Sequence, residues 1–358
     1  MSDSPSPAAP NAAPDTAPDT APGPKPVRTA RVFSAIQPTG EIHVGNYLGA
    51  IRTWAEQCKA QPETGEDLYF AVADAHAITV PHKAKELRAT IDRFVIDLLA
   101  LGVDPARATF FVQSDVPEHM ELAWYLSAVT PMGDLSRMTQ FKDKSEGQDF
   151  ASSALFTYPV LMSADILLYR ATVVPVGDDQ LQHLELARET ARRFNHRFGK
   201  TFVEPRARMS KATRVGGLDG DGKMSKSKGN TLDIFADPKT FWNKLKTAYT
   251  DPARLLRDDP GHPEVCNIYG LHQAMSSPEQ QDEVVRNCTT AGWGCFDCKQ
   301  MLYANFETEL IPLRDKRASL KPDDAREMLR AGTERARSVA AKTIADTRKA
   351  LGVGYVRA

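Results

Sequence analysis

Two short segments of the chain carry side chains suited to phosphate chemistry. The first, Lys223–Ser227 (KMSKS), lies in a polar, glycine-rich stretch at residues 216–230. Two lysines three positions apart on a mobile loop can close on a polyphosphate and neutralise the charge that develops there. The second segment, residues 33–46, is typical of a strand, a turn and a helix, and it ends in the tetrapeptide HVGN. A lysine pair alone is usually solvated surface, but its combination with this turn favours a nucleotide site.

Apolar patterning outlines the fold that must position these segments. Apolar runs of strand length alternate with stretches whose apolar residues recur at three- and four-residue spacing, as in helices. This alternation predicts an α/β fold with a parallel, doubly wound, Rossmann-like sheet, and the pattern from Ile234 onward predicts an all-helical C-terminal domain. The predicted strands are Arg31–Ile36, Leu68–Ala73, Thr109–Gln113 and Val173–Val176, and the predicted helices include Asn46–Ala55, Ala84–Leu101 and Met162–Tyr169.

The turn after the first strand would lie beyond the carboxyl ends of the strands, where such sheets bind ligands. Gly40 and Gly45 lack side chains and so let a ligand approach the backbone. His43 and Asn46 can donate hydrogen bonds to a phosphate. The alternative is an ordinary turn with a surface histidine. The sequence has no Gly-x-Gly-x-x-Gly pattern, so it does not predict a dinucleotide site.

A second candidate for nucleotide contact is Val176–Gln180 (VGDDQ), which follows the fourth predicted strand. Gly177 permits close packing against a sugar, and Asp179 can accept hydrogen bonds from ribose hydroxyls. The alternative for Asp179 is a helix N-cap.

Five segments, in the same order along the chain, resemble the tryptophanyl branch of the class I aminoacyl-tRNA synthetases. They are residues 36–50, 74–79, 137–145, 157–180 and 223–227, and the resemblance extends over about residues 31–355. It implies that Lys144, Lys223 and Lys226 are the catalytic residues, which contact the phosphates of ATP together with Mg²⁺. The other ATP-binding residues that it implies are Gln37, Thr39, His43, Gly45, Asn46, Gly177, Asp179, Gln180, Met224 and Ser225.

The amino-acid pocket is predicted around Asp165, which lies in an otherwise almost wholly apolar helical segment, residues 161–169. A buried carboxylate needs a donor, and an indole N–H can only donate. The resemblance implies that Asp165 accepts from the indole N–H of tryptophan. The alternative is that Asp165 pairs internally with an arginine such as Arg170. The other tryptophan-binding residues that the resemblance implies are Phe33, Gln37, His76, Tyr158, Met162, Val174, Val176 and Gln180.

The resemblance implies a two-step ligase. L-Tryptophan and ATP would form tryptophanyl-adenylate and pyrophosphate, and the tryptophanyl group would then pass to the terminal adenosine of tRNA(Trp). One alternative is a tyrosyl-tRNA synthetase, which shares the fold, although the Gln-Pro-Thr-Gly opening and the helix around Asp165 favour tryptophan. Another is a synthetase-like protein recruited as a binding or regulatory partner.

Four of the five cysteines, Cys266, Cys288, Cys295 and Cys298, fall close together in the predicted helical region. A cytosolic chain rarely uses such a cluster for disulfides, so a metal is the better interpretation. Zinc and iron–sulfur clusters both accept four thiolates. The intervals of 21, 6 and 2 residues are similar to the 4Fe–4S motif of some bacterial members of the resembled family, one residue short in the first interval. Zn²⁺ and four free thiols are the alternatives, and Cys58 is predicted to be an inert thiol.

Composition and charge indicate where the protein is located and what it contacts. Residues 1–28 contain eight prolines and six alanines, so we expect a disordered tail that is neither a secretory signal nor a transit peptide. The net charge of −1 gives no global nucleic-acid signal, and no apolar run approaches the ~20 residues of a membrane span. We therefore expect a cytoplasmic protein with no membrane contact. The resemblance implies a homodimer, and an unidentified protein partner of the tail is a further hypothesis.

The predicted organisation has four parts. They are the tail at 1–28, a catalytic domain at 29–212 with a dimer-interface insertion at about 123–158, the KMSKS loop at 213–232, and a helical anticodon-binding domain with the cysteine cluster at 233–358.

Overall fold

The computed structural model describes residues 29–138, 152–209, 215–222, 224–225 and 228–355. The proline-rich tail at 1–28 lies outside the described residues, as do Lys144, Lys223 and Lys226.

A five-stranded parallel sheet in the order β3-β2-β1-β4-β5 organises the N-terminal part of the chain. The strands are β1 Arg31–Ile36, β2 Asp67–Val72, β3 Ala108–Val112, β4 Val173–Val176 and β5 Arg206–Met209. This confirms the predicted doubly wound sheet and its first four strands, with β2 and β3 each shifted by one residue. Strand β5 was not predicted from the sequence. Its four residues include two arginines and are mostly exposed, so no apolar run marks it.

Helices connect the strands and form all the regular structure after β5 in the described residues. Those around the sheet are α1 Val44–Asn46, α2 Arg52–Thr64, α3 Asp74–Ala77, α4 Ala84–Ala100, α5 Glu118–Ser127, α6 Met132–Ser136, α7 Ser153–Leu168 and α8 Leu181–Phe198. Those of the C-terminal part are α9 Pro238–Lys246, α10 Asn267–Met275, α11 Pro278–Thr289, α12 Cys295–Ser319 and α13 Pro322–Leu351. A π-helical turn, Tyr47–Ile51, joins α1 to α2, and single 3₁₀ turns lie at Gln113–Asp115, Asp178–Gln180 and Pro263–Val265. The C-terminal helical region is thus confirmed.

Each face of the sheet is buried, as expected for a parallel sheet. On one face Phe70 of β2 stacks on Trp54 of α2, with ring centroids 4.5 Å apart. On the other face Phe33 of β1 stacks on Tyr169, just after α7, at 5.5 Å. Successive residues of a strand point to opposite faces, so the strands supply side chains to two separate apolar clusters.

Helix α13 packs back against the edge strand β3. Gly332 lies so close that a Cβ there would be 2.1 Å from the backbone oxygen of Phe110. The guanidinium of Arg335 donates to the backbone oxygens of Pro105 and Ala108 at 3.0 and 3.3 Å. A covered edge strand cannot pair with a strand of another chain, so α13 protects the sheet. The boundaries at 29–212, 213–232 and 233–358 stay predictions.

Among the described residues, no helix combines the length and apolar character that crossing a membrane requires.

Candidate active site

The turn between β1 and α1, residues 37–46 (the signature turn), is closed by a reciprocal pair of hydrogen bonds. Nδ1 of His43 accepts from the backbone N–H of Asn46, and Oδ1 of Asn46 accepts from the backbone N–H of His43, both at 3.3 Å. In the neutral ring, His43 therefore carries its proton on Nε2, and Asn46 keeps its amide N–H groups as donors. Gly40 has φ +80°, a conformation that favours glycine. The turn thus arranges donors at a helix N-terminus, and its role as a phosphate site stays a prediction.

The signature turn is joined to the segment that follows KMSKS. The N–H of Val44 donates to the oxygen of Leu232 at 2.8 Å, and His43 forms an antiparallel bridge with Asp233. Met224, the second residue of KMSKS, is buried. A Cβ added to Gly45 would lie 3.4 Å from the Cβ of Met224. The signature turn and the KMSKS segment are therefore neighbours in space.

Asn230 anchors the loop that carries KMSKS. Its Oδ1 accepts from the N–H of Ser225 at 2.7 Å, and its Nδ2 donates to both carboxylate oxygens of Asp219 at 2.9 and 3.0 Å. The loop also contains an ion pair, Lys228 with Asp221 at 2.7 Å. Asn230 therefore fixes the backbone of Ser225, which lies between Lys223 and Lys226 in the sequence.

The second nucleotide candidate forms a 3₁₀ turn at the end of β4. Asp179 is exposed, and its Oδ2 accepts from Nε2 of Gln180 at 3.1 Å. A Cβ on Gly177 would be 2.9 Å from Oδ1 of Asp179, so the glycine leaves room for that carboxylate. Helix α8 begins after Gln180, with no side-chain cap, so the N-cap alternative for Asp179 is wrong.

Asp165 is the centre of a buried polar network. Its side chain is 3% exposed. Its Oδ1 accepts from Nε2 of Gln113 and from Nδ1 of His119, each at 2.6 Å, and its Oδ2 pairs with Nε2 of His76 at 2.8 Å. Burial acts to raise the pKa of Asp165, but the hydrogen bonds from His119 and His76 outweigh it and hold the pKa below its usual range. The carboxylate is thus kept ionised as an acceptor.

The alternative that Asp165 pairs with Arg170 is wrong. Arg170 forms an ion pair with Asp346 of α13, on the surface. The partners of Asp165 are instead the side-chain amide of Gln113 and the imidazole rings of His76 and His119.

Four apolar side chains that were predicted to bind tryptophan belong to one buried region. Phe33, Val174 and Val176 are buried in the same apolar cluster, and Met162 packs against it. The ring of Tyr158 lies edge-on to His76 at 6.2 Å, and its hydroxyl is 2.8 Å from Nε2 of His183. Burial raises the pKa of Tyr158 to about 12, so it stays a hydroxyl. We call the set Phe33, His76, Met162, Asp165, Val174 and Val176 the aspartate pocket.

Gln37 connects the two halves of the site, because its Nε2 donates to the backbone oxygen of His76 at 3.3 Å. The structure thus brings together the described candidate residues of β1, the signature turn, α3 and α7. The network partners Gln113 and His119 were not foreseen. Gln113 directly follows β3, at the same carboxyl edge of the sheet, and that position was the available signal.

Comparison with known proteins now identifies the family. The sequence model of the class I tRNA synthetases for tryptophan and tyrosine (W and Y) matches residues 25–310. The tryptophan–tRNA ligase of Deinococcus radiodurans is 47% identical over 329 residues, which are 90% of this chain and 98% of the relative. The chain belongs to the tryptophan–tRNA ligase family of class I synthetases.

Further relatives agree with this assignment. The tryptophan–tRNA ligase of Thermotoga maritima is 40% identical over 91% of this chain and 100% of its own. The tryptophanyl-tRNA synthetase of Campylobacter jejuni, solved with ADP and tryptophan, is 36% identical with a TM-score of 0.80, covering 90% of this chain and 100% of that one. A tyrosyl-tRNA synthetase of Archaeoglobus fulgidus, at 21% identity and a TM-score of 0.64, shares the fold alone.

The four clustered cysteines are partly exposed free thiols: Cys266 directly precedes α10, Cys288 lies in α11, and Cys295 and Cys298 lie in the first turn of α12. Burial raises the pKa of Cys298 to about 12, and the thiols of Cys266, Cys288 and Cys295 add to this rise. Cys298 therefore lies near the other three thiols. No group of three or more His, Cys, Asp or Glu side chains within the described ranges could hold a metal ion. The metal site at these cysteines therefore stays a prediction.

Proposed function

We propose that this chain is a tryptophan–tRNA ligase, which activates L-tryptophan with ATP and transfers it to tRNA(Trp). The observation that carries the proposal is the buried, ionised Asp165 among apolar walls, beside a signature turn that contacts the KMSKS segment. An indole needs apolar walls and a single acceptor for its N–H, and the aspartate pocket supplies both.

The reaction needs no covalent enzyme intermediate. Tyr158, Gln180 and Gln37 hold the amino and carboxylate groups of tryptophan, so that the carboxylate attacks the α-phosphorus of ATP in line and pyrophosphate leaves. The 2′-hydroxyl of the terminal adenosine of the tRNA then attacks the activated carbonyl and releases AMP. Positioning and charge neutralisation therefore supply the catalysis.

The nucleotide lies along the signature turn in this proposal. Thr39, His43, Gly45 and Asn46 contact its phosphates, with His43 donating from Nε2. Gly177, Asp179 and Gln180 contact the ribose. Lys144, Lys223 and Lys226 neutralise the charge on the departing pyrophosphate, with Met224 and Ser225 fixing the loop. Mg²⁺ bound with ATP supplies further positive charge at the phosphates.

Amino-acid-dependent exchange of pyrophosphate into ATP tests the activity. Purified protein should catalyse this exchange with tryptophan, while tyrosine and the other amino acids give a background rate. A faster rate with tyrosine would support the tyrosyl alternative. If no amino acid supported exchange and the protein bound another protein through its tail, a recruited regulatory role would be supported.

For the cysteine cluster we favour a 4Fe–4S cluster over zinc. Zinc and iron–sulfur clusters both accept four thiolates. The preference rests on the intervals of 21, 6 and 2 residues between the cysteines, which are similar to the 4Fe–4S motif of some bacterial members of the family, one residue short in the first interval. Cys266, Cys288, Cys295 and Cys298 would hold it, and its role would be structural, beside the anticodon-binding region.

Anaerobic purification followed by iron, sulfide and zinc analysis tests this assignment. Cys298→Ser should lose the bound iron, and Cys58→Ser should retain it because Cys58 is buried elsewhere, beside the N–H of Asp104. Zinc in place of iron would reverse our order of preference. Metal-free protein that is fully folded and charges tRNA normally would exclude both metals.

The assembly and location that we propose are a cytoplasmic C₂ homodimer with the tRNA spanning both subunits. The interface would include the region at about 123–158, where Trp124 is 76% exposed in the single chain. A monomer by sedimentation at micromolar concentration that still charges tRNA would contradict the dimer. An unidentified protein partner of the tail at 1–28 stays a hypothesis.

A further inference from the structure

Three side chains behind the aspartate pocket have no assigned role. His119 and Tyr169 are 0% exposed and Gln113 is 1% exposed, so none of them is at the surface. His119 and Gln113 bind Asp165 directly, and Nε2 of His119 lies 2.8 Å from the hydroxyl of Tyr169. A chain of polar groups therefore runs from the apolar core to the pocket.

We propose that His119, fixed by Tyr169, is a positioning residue for substrate selection. It holds the Asp165 carboxylate in the orientation that presents Oδ2 to an N–H donor on the side chain of the amino-acid substrate. This inference rests on the proposed function, because it takes the indole N–H of tryptophan as that donor.

The distribution of hydrogen bonds over the two carboxylate oxygens supports the choice of Oδ2. Each oxygen of an ionised carboxylate accepts about two hydrogen bonds. Oδ1 receives two, from Gln113 and His119, so its acceptor positions are filled. Oδ2 receives one, from His76, whose side chain is 13% exposed, whereas Gln113 and His119 are buried. The remaining acceptor position of Asp165 is therefore on Oδ2, on the side of His76.

Asp165 determines which nitrogen of His119 donates, and Tyr169 binds the other nitrogen. Asp165 can only accept, so Nδ1 of His119 must carry a proton. In the neutral ring Nε2 is then an acceptor, and the hydroxyl of Tyr169 donates to it. Tyr169 itself is fixed by packing, since its ring stacks on Tyr69 at 4.8 Å and on Phe33 at 5.5 Å. The apolar wall of the pocket thus holds the group that orients its acceptor.

Gln113 shows that the carboxylate position is enforced at a cost. Its Nε2 faces Asp165, which leaves Oε1 buried with no hydrogen-bond partner among the described residues. A buried acceptor without a partner is unfavourable for folding. Such an arrangement is typical of sites where geometry serves a ligand more than stability.

The decisive experiment compares L-tryptophan with 3-(3-benzothienyl)-L-alanine, in which sulfur replaces the indole N–H. The two ligands have nearly the same shape, so their affinity ratio reports the hydrogen bond to Asp165 and cancels changes in packing. Equilibrium binding is measured by calorimetry on the full chain, which requires no ligase activity. Wild-type protein should favour tryptophan by roughly tenfold or more.

Three variants separate positioning from packing. Tyr169→Phe removes one hydroxyl and should lower the ratio by about 3- to 10-fold, mainly through weaker tryptophan binding. His119→Leu should lower it by about tenfold or more. His119→Asn, whose amide nitrogen replaces Nδ1, should restore most of the ratio. In exchange assays the same variants should raise KM for tryptophan with little change in kcat.

The outcomes are distinguishable. Variants that fold, by their thermal melts, but lose affinity for both ligands equally would show that His119 and Tyr169 are merely structural. Either that result or unchanged affinity for both ligands in Tyr169→Phe and His119→Leu leaves the ratio unchanged, which would overturn the proposal while leaving the proposed function intact. A wild-type protein that binds both ligands equally would contradict the assignment of Asp165, and this inference with it.

Discussion

The aspartate pocket and the signature turn lie at the same edge of one sheet but are built differently. The pocket depends on side chains that are distant in sequence, since His76, Gln113 and His119 all converge on Asp165. The signature turn depends on local contacts, with His43 and Asn46 three residues apart, and on backbone hydrogen bonds to the segment after KMSKS.

The two regions should therefore respond differently to substitution. A buried network of charged and polar groups cannot lose one member without leaving others unpaired, so its perturbation lowers stability and affinity together. A turn on the surface can be perturbed with little effect on the core, while catalysis there is sensitive to small displacements. Four substitutions, each with a control, test this contrast.

The largest effect is expected for Asp165→Ala. Loss of the carboxylate leaves the donors of Gln113 and His119 buried without an acceptor, which should lower the free energy of unfolding by about 3–5 kcal/mol. Tryptophan binding should weaken by about 1–3 kcal/mol. Urea denaturation and calorimetry measure the two quantities. The control Asp346→Ala breaks only the surface pair with Arg170 and should change both little. Unchanged tryptophan affinity in a folded Asp165→Ala protein would show that Asp165 is structural.

Lys226→Ala should act on the rate with almost no effect on stability. Its charge should matter most as pyrophosphate departs, so kcat for adenylate formation should fall by about 10²–10³ while tryptophan affinity is nearly unchanged. Lys228→Ala is the control, because Lys228 lies on the same loop but is paired with Asp221. Single-turnover kinetics measure the effect. A rise in KM for ATP alone would mean uniform binding, and the catalytic assignment would then be wrong.

The same contrast explains what could be predicted from the sequence. The strands β1 to β4 and the signature turn are recognisable because their patterns are local: apolar runs, and glycines around a histidine and an asparagine. Strand β5 is not, because only its pairing with β4 makes it a strand.

The network around Asp165 was only half predictable. A lone carboxylate in an apolar helix indicates that a donor must lie nearby, but the sequence does not say which one. Arg170 was the wrong choice, because its position just after α7 directs it to Asp346. Gln113 comes from the 3₁₀ turn after β3 and His119 from α5, and their convergence with α7 is a property of the packed fold.

Gly45→Ala should have an intermediate effect, confined to nucleotide use. The new Cβ would lie 3.0 Å from the ring of His43 and 3.4 Å from Cβ of Met224. The histidine must shift, so we expect KM for ATP to rise by about tenfold, or roughly 1.4 kcal/mol, with tryptophan affinity unchanged. Gly49→Ala is the control, because nothing lies within 4 Å of its Cβ. Equal loss of tryptophan affinity in Gly45→Ala would contradict the separation of the two regions.

The smallest effect is expected for Asn230→Ala, which tests how KMSKS is anchored. The buried amide of Asn230 holds the N–H of Ser225 and the carboxylate of Asp219, so its loss should release the loop without touching the aspartate pocket. We expect a cost of about 0.5–1.5 kcal/mol, seen as a rise of several-fold in KM for ATP. Asn305→Ala is the matched control, because its amide donates to Ser276 and Gln280 in the C-terminal helices. That variant should lower stability by a similar amount and leave KM for ATP unchanged. If both variants raised KM for ATP equally, the effect would be general loosening of the fold, and the signature turn would depend on the core as much as the pocket does.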